Sequence, residues 1–466
     1  MGVEVWLLVA GVVMAAWAYS RWRHSYWSSR GVSTPPYLPF LGHLHKLLSL
    51  SQTRWRYVDE VYHKYGGSTL SGLYELFRPV LMVGDPDLLK NIFVKDFDHF
   101  VDRRKFLAEE GSISNIMLSN LTGDEWKTLR GIMSPTFTSG KMRSMFPLIC
   151  EKADALVSFS LKEAANKPFV DMKVNFGRFT MDTIASCAFG IECNSFKSEV
   201  PEFSKYAEMF FNFSFLRILK FTLFNMFPTI GNALRIKIDS PAIKYFSNVV
   251  EETIAARNAG QRRGDYLDLL LDARAGVSHP IITDTSTVPH NQSTTTQDRT
   301  AQETNHDSSV TNVNNIPITQ SKQETLRLYP PATFGERQCT RTFKIPGTEL
   351  ILHPGDVVTV PFWSLHHDPR YWPEPEEFQP DRFLPENKSN ITSFTHIPFG
   401  MGPRNCIGMR FALMEAKVAL AKLLLAAEIH LDKNHTGLKI DRSPFLLRPE
   451  EGVNLVLTPI TSNTYG

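Results

Sequence analysis

The 466-residue sequence predicts a mainly α chain with a small β portion. Three observations carry this. Long segments repeat apolar residues with helical period, above all 141–165, 174–189 and 410–427. Strand-like runs are few and short, at 79–83 and within 343–360. Hydrophobic residues make up 42% of the chain, enough to bury a large core.

Residues 5–19 are uncharged and apolar, with Glu4 before them and Arg21, Arg23 and Arg30 after. A cleaved leader carries its positive charge ahead of the apolar run, so this arrangement reads as an anchor, although Ala16-Trp17-Ala18 imitates a cleavage site. The positive-inside rule then turns the body toward the cytosol. Thr34 to Gly42 carries three prolines, which favour extended geometry and a stiff spacer. Residues 53–66, 86–94 and 124–133 read as helices. Phe210 to Phe227 is crowded with aromatic and large aliphatic residues, either ordinary core or a lid over a substrate channel dipping into a bilayer.

Composition changes at Gly276. From there to Lys322, 25 of 47 residues are Ser, Thr, Asn or Gln, too few apolar groups to offset ordering entropy, so disorder is expected. Turn-rich sequence then runs through Phe383. A net charge of +2 gives no reason to expect a nucleic-acid partner. Five scattered cysteines (Cys150, Cys187, Cys193, Cys339, Cys406) form no paired framework, which fits a reducing compartment.

The most informative segment is Phe399-Gly400-Met401-Gly402-Pro403-Arg404-Asn405-Cys406-Ile407-Gly408. Its glycines let the backbone pass close under a flat macrocycle. Arg404 can neutralise a haem propionate. Cys406 comes just before a helix, where the dipole and free N–H groups favour a thiolate. A lone cysteine is usually buried core. The spacing Phe-x-x-Gly-x-Arg-x-Cys-x-Gly, however, resembles the haem-binding signature of the cytochrome P-450 superfamily. The resemblance covers residues 1–275 and 321–466. Ser134-Pro135-Thr136-Phe137-Thr138-Ser139-Gly140-Lys141 is similar to the microsomal branch of broad drug and steroid oxidases, which has thromboxane synthase as a close relative.

The resemblance implies the cytochrome P-450 fold in one large domain. Residues 1–20 would be the anchor, 21–44 a basic and Pro-rich spacer, and 45–466 the haem-thiolate catalytic domain, interrupted by 276–322. Cys406 would be the axial ligand of the iron of haem (iron protoporphyrin IX), with Phe399 beside it. Trp126, Arg130, Arg337, Arg103 and Arg404 would approach the propionates. Glu324, Arg327 and Arg382 would form a structural network holding the cysteine loop. His366-His367 is rejected as a metal site. The family draws electrons from NADPH through cytochrome P-450 reductase, with cytochrome b5 as an optional second partner. Lys127, Lys417 and Lys422 are the candidate docking residues. An endoplasmic-reticulum membrane location on the cytosolic face, and a lipophilic small-molecule substrate (steroid, fatty acid or xenobiotic), follow from the same resemblance.

One family element is missing. The central distal helix carries Ala-Gly-x-Glu/Asp-Thr-Thr, whose threonine supports protonation during oxygen activation. That motif belongs between Leu271 and Glu324 and is absent there. Ala275-Gly276-Val277-Ser278-His279-Pro280 is the nearest imitation, and Pro280 forbids a buried helix. No catalytic residue is identified on the distal side. The expectation is a monooxygenase whose activity this loss would remove, with two alternatives. One is a haem-thiolate isomerase of a fatty-acid endoperoxide; the other is a non-catalytic haem binder from a truncated or mis-spliced message.

Overall fold

The computed structural model describes residues 2–48, 53–106, 108–109, 111–197, 202–211, 215–262, 265–274, 318–432, 437–440 and 446–460. Gly2–His24 is one 23-residue helix, extended past the apolar run by its arginines. It is long and apolar enough to cross a membrane. Its apolar side chains, among them Trp6, Leu7 and Leu8, are exposed.

The stretch expected as a spacer packs into the body instead. Trp27 is 1% exposed, and its indole N–H donates to the Leu73 carbonyl at 2.9 Å. The amide of Gly72 donates to the Ser33 carbonyl at 2.7 Å. A large aromatic ring gains too much by burial to remain in a linker.

Strands Leu70–Glu75, Arg78–Val83, Val357–Val360 and Gly335–Gln338 form a four-stranded sheet in that spatial order. The outer pairings are antiparallel and the central one is parallel. The central strands are nearly continuous apolar runs, as parallel neighbours buried on both faces require. A core including Tyr62, Tyr74, Leu81, Phe93, Phe100 and Leu365 packs around this sheet. A second core joins helices Ser139–Ala164, Met172–Ile184 and Met409–Ala426 through residues such as Ile149, Leu156, Phe179, Ala419 and Leu423. Strands Val170–Asp171, Asn454–Pro459 and Ala427–Leu431 close its edge.

The other expected helices occur as Arg54–Lys64, Gly123–Met133 and Pro86–Lys90, the last continued by a π turn over Asn91–Lys95. The stretch from 210 to 227 divides between helices Glu202–Phe211 and Phe215–Met226. One boundary is corrected. Helix Ile318–Leu328 starts inside the segment expected to be disordered. Glu324, Arg327 and Leu328 on it are buried, and this anchoring orders 318–322 despite their polar composition. The rest of that expectation, and the expected loss of the central helix, concern 275–317, which lie outside the described residues.

Candidate functional site

The cysteine segment is a loop ahead of helix Met409–Ala426, for which Gly408 is the N-cap. Three backbone bonds shape it. Gly400 donates to Ile397 at 3.0 Å, Asn405 to Gly402 at 3.0 Å, and Cys406 to Phe399 at 2.9 Å. Gly402 has φ +73°, and a Cβ there would collide with the carbonyl of Phe93, so glycine is required. Cys406 is exposed, whereas the other four cysteines are buried or half-buried.

Three arginines from other parts of the chain converge on this loop, which carries a fourth, Arg404. Helix Gly123–Met133 has Asp124 and Glu125 in its first turn and Arg130 in its last, the arrangement its dipole favours. Its start is tied down by Asp102, which accepts from the Gly123 amide at 2.7 Å. Trp126 on this helix is buried, with the Arg404 guanidinium 4.6 Å from its ring centre. Arg130 donates to the Asn405 carbonyl at 3.1 Å and to its side-chain oxygen at 2.9 Å. Arg103 donates to the Arg404 carbonyl at 2.8 Å. Arg404 itself reaches the Leu121 carbonyl.

Strand Gly335–Gln338 separates two charge systems, because alternate side chains leave opposite faces. Arg337 lies over the Phe93 ring at 4.7 Å and donates to the Met401 carbonyl at 3.4 Å. Glu336 joins Arg104, Glu75 and Arg54 on the other side. Burial would raise the Glu75 carboxyl, but Arg104 and Arg54 hold it down at about 2.

The first system is not balanced in this way. Burial pushes the Arg337 guanidinium well below its ordinary value, and Arg103 and Arg404 push it further. Burial brings Arg404 down to about 10, with Arg103 and Arg130 adding to the effect and Asp102 opposing it. Arg103 and Arg130 are lowered by burial, and a negative charge at Cys406 would act against this. The Nη1 of Arg404 and the Nε of Arg337 are buried without a hydrogen-bond partner. Clustered cations with orphaned donors favour an anionic group beside them. A macrocycle with two carboxylates and a soft-ligand metal fits this donor set.

Behind the loop lies a second buried system. Arg327 donates to both oxygens of Glu324, at 2.8 and 2.7 Å, and both residues are 0% exposed. Its guanidinium also reaches the carbonyls of His366 at 2.8 Å, Pro375 at 2.7 Å and Glu377 at 3.2 Å. Gln379 donates its amide to Glu324 at 3.0 Å. Arg382 approaches Glu324 to 3.5 Å as an ion pair without hydrogen-bond geometry at its Nε.

All ten residues singled out in the sequence thus fall into these two adjoining systems. Of the candidate docking lysines, Lys127 pairs with Asp124 at 3.4 Å and Lys422 with Asp154 at 2.5 Å. The crowded aromatic stretch is divided in its exposure: Phe224 is buried, while Leu216, Leu223 and Phe227 are exposed. Sequence reasoning missed Asn405 and His366. His366 is buried at the end of helix Phe362–His366.

Comparison with known proteins gives the class. The cytochrome P450 family description matches residues 32–304 and 286–457. The chain belongs to the cytochrome P450 family. Cytochrome P450 9e2 of Blattella germanica is 31% identical over 529 aligned positions, covering 98% of this chain and 99% of the relative. Cytochrome P450 3A11 of Mus musculus is 33% identical, covering 98% and 97%. Cytochrome P450 6j1 of Blattella germanica is 34% identical, covering 94% of each. The fold is the mainly helical one of this family, and the class is haem-thiolate monooxygenase of the 3A and insect type. Its cofactor is haem iron, supplied with NADPH-derived electrons through a reductase.

Proposed function

We propose that this chain is a membrane-anchored haem-thiolate protein of the endoplasmic reticulum, facing the cytosol, whose site is built to bind haem and take bulky lipophilic molecules. The observation that carries it is the unbalanced arginine cluster around the cysteine loop. Cys406 would ligate the iron beside Phe399. Arg404, Arg337 and Arg103 would hold the propionates, with Trp126 and Arg130 bracing the loop through Arg404 and Asn405. Glu324, Arg327 and Arg382 would hold the segment behind it. Bound there, haem supplies reductive activation of dioxygen and insertion of one oxygen atom into the substrate. The protein's own residues bind, orient and neutralise. The exposed apolar helix Gly2–His24 supports the anchor. The apolar residues exposed at Leu216, Leu223, Phe227 and Ile230 support a substrate entrance at the bilayer. Lys417, with the ion-paired Lys127 and Lys422, would meet the reductase.

Hydroxylation by this chain is proposed to be uncoupled. Its oxygen-activating motif is absent, and alignments of 529 and 502 positions against a 466-residue chain support the loss of a stretch that the relatives carry. The carbon monoxide difference spectrum of the reduced protein tests haem and thiolate together; no thiolate Soret band would refute the site. NADPH consumption without matching product is expected with reductase present, and stoichiometric product would refute uncoupling. The absent motif also leaves room for an endoperoxide isomerase, which needs neither dioxygen protonation nor reductase. Turnover of an endoperoxide without NADPH would establish that second reading. Sequencing of the message across 276–322 distinguishes a truncated product from a dominant transcript.

A further inference from the structure

The buried Glu324–Arg327 pair makes no hydrogen bond to residues 397–408 among those described. Something else must transmit its rigidity to the cysteine loop. His366 is 0% exposed, and its two ring nitrogens face different elements. Nε2 lies 2.9 Å from the amide nitrogen of Ile397. Nδ1 lies 3.2 Å from the carbonyl oxygen of Arg327. A backbone amide can only donate, so Nε2 is the acceptor. The ring proton therefore sits on Nδ1 and is donated to Arg327. One neutral tautomer satisfies both bonds, and burial, which pushes this imidazole well below its ordinary value, agrees with that form. The His366 carbonyl also accepts from the Arg327 guanidinium, so the two residues are tied twice. Beyond Ile397 the bonds continue into the loop, Gly400 to Ile397 and Cys406 to Phe399.

We propose that His366 is a positioning residue for Cys406, a tautomer-locked strut carrying the Arg327 network into the loop that presents the thiolate. This rests on Cys406 being the axial ligand. His396, the residue before Ile397, adds a second tie, its Nε2 3.2 Å from the Gln323 carbonyl, but that bond bypasses the ion pair.

The test separates the two ring functions. Glutamine can place an acceptor where Nε2 was, asparagine a donor where Nδ1 was, and leucine offers neither. In full-length detergent-solubilised protein, His366→Gln should keep most of the thiolate Soret band, while His366→Asn and His366→Leu should lose most of it at equal folded fraction. Hydrogen exchange in the haem-free chain gives a readout that needs no cofactor. The Ile397 amide should exchange roughly tenfold faster in His366→Asn and stay protected in His366→Gln. Equal behaviour of the Gln and Asn variants in both measurements would overturn the strut. If His366→Leu does not fold, the Gln–Asn comparison still decides. A wild-type chain without any thiolate band would overturn the axial-ligand reading instead, leaving the Ile397 result standing.

Discussion

Replacing Arg327 by methionine tests the buried network most severely. The guanidinium holds Glu324 through two short buried bonds and caps the buried carbonyl of His366 and the part-buried carbonyls of Pro375 and Glu377. Removing one member of a buried ion pair costs about 3–5 kcal/mol, because the other charge is left uncompensated. Glu324 would keep only the Gln379 amide and the distant Arg382 guanidinium. The abandoned His366 carbonyl, buried and costing about 1–3 kcal/mol when unsatisfied, pushes the loss to the upper end of that range. Net stabilities are about 5–15 kcal/mol, so Arg327→Met should leave a barely folded protein. Urea titration followed by tryptophan fluorescence measures this directly, since Trp372 lies 5.4 Å from the Arg327 guanidinium. The midpoint should fall steeply with an unchanged slope. The double variant Glu324→Met/Arg327→Met should recover about 2 kcal/mol or more, since the fully buried Glu324 carboxylate is no longer left without Arg327. A single-variant loss below about 1 kcal/mol, or strict additivity in the double variant, would refute the reasoning.

Arg337→Leu should weaken haem binding roughly tenfold while leaving the haem-free chain as stable as before or more so, because it removes a charge repelled by Arg103 and Arg404; haem titration and the apo urea midpoint check the opposite signs. Gly402→Ala should cost about 2 kcal/mol or more and abolish the thiolate spectrum, from positive φ and the clash with Phe93. Stability should fall with acid. Burial lowers the His396 imidazole to about 4 while the unfolded chain keeps the ordinary 6.5, so stability is intact above pH 6.5 and lost as pH drops toward 4, about 2 kcal/mol by pH 5 from this group. His43, also lowered to about 4 by burial, adds to the same limb, and a flat urea midpoint between pH 7 and 5 would contradict both.

The legible part of the fold was the part with strong period. The helices at 139–164 and 409–426 were readable because their apolar faces alternate with exposed charge over many turns. The order of the strands was not readable, since the parallel pairing of Val80–Met82 with Val357–Thr359 joins segments far apart in sequence. The residues around Cys406 stood out by their spacing, while the Glu324–Arg327 pair stood out only through the family resemblance. His366 was invisible for the opposite reason. Beside His367 it looked like a candidate ligand to dismiss, and only the tertiary approach of Ile397 gives its ring a task. The Trp27 anchor was hidden likewise, because a proline-rich stretch gives no periodic sign that its neighbour is core.

The two systems behind and around Cys406 respond differently to the absence of an anion. The Glu324–Arg327 system pairs its buried charges with one another, and the last turns of helix Ile318–Leu328 hold it against His366, Pro375 and Glu377. The arginine cluster is the reverse: its charges are unbalanced without an added anion, so its stability depends on what binds there. Haem binding should accordingly stabilise the loop and leave the network nearly unchanged.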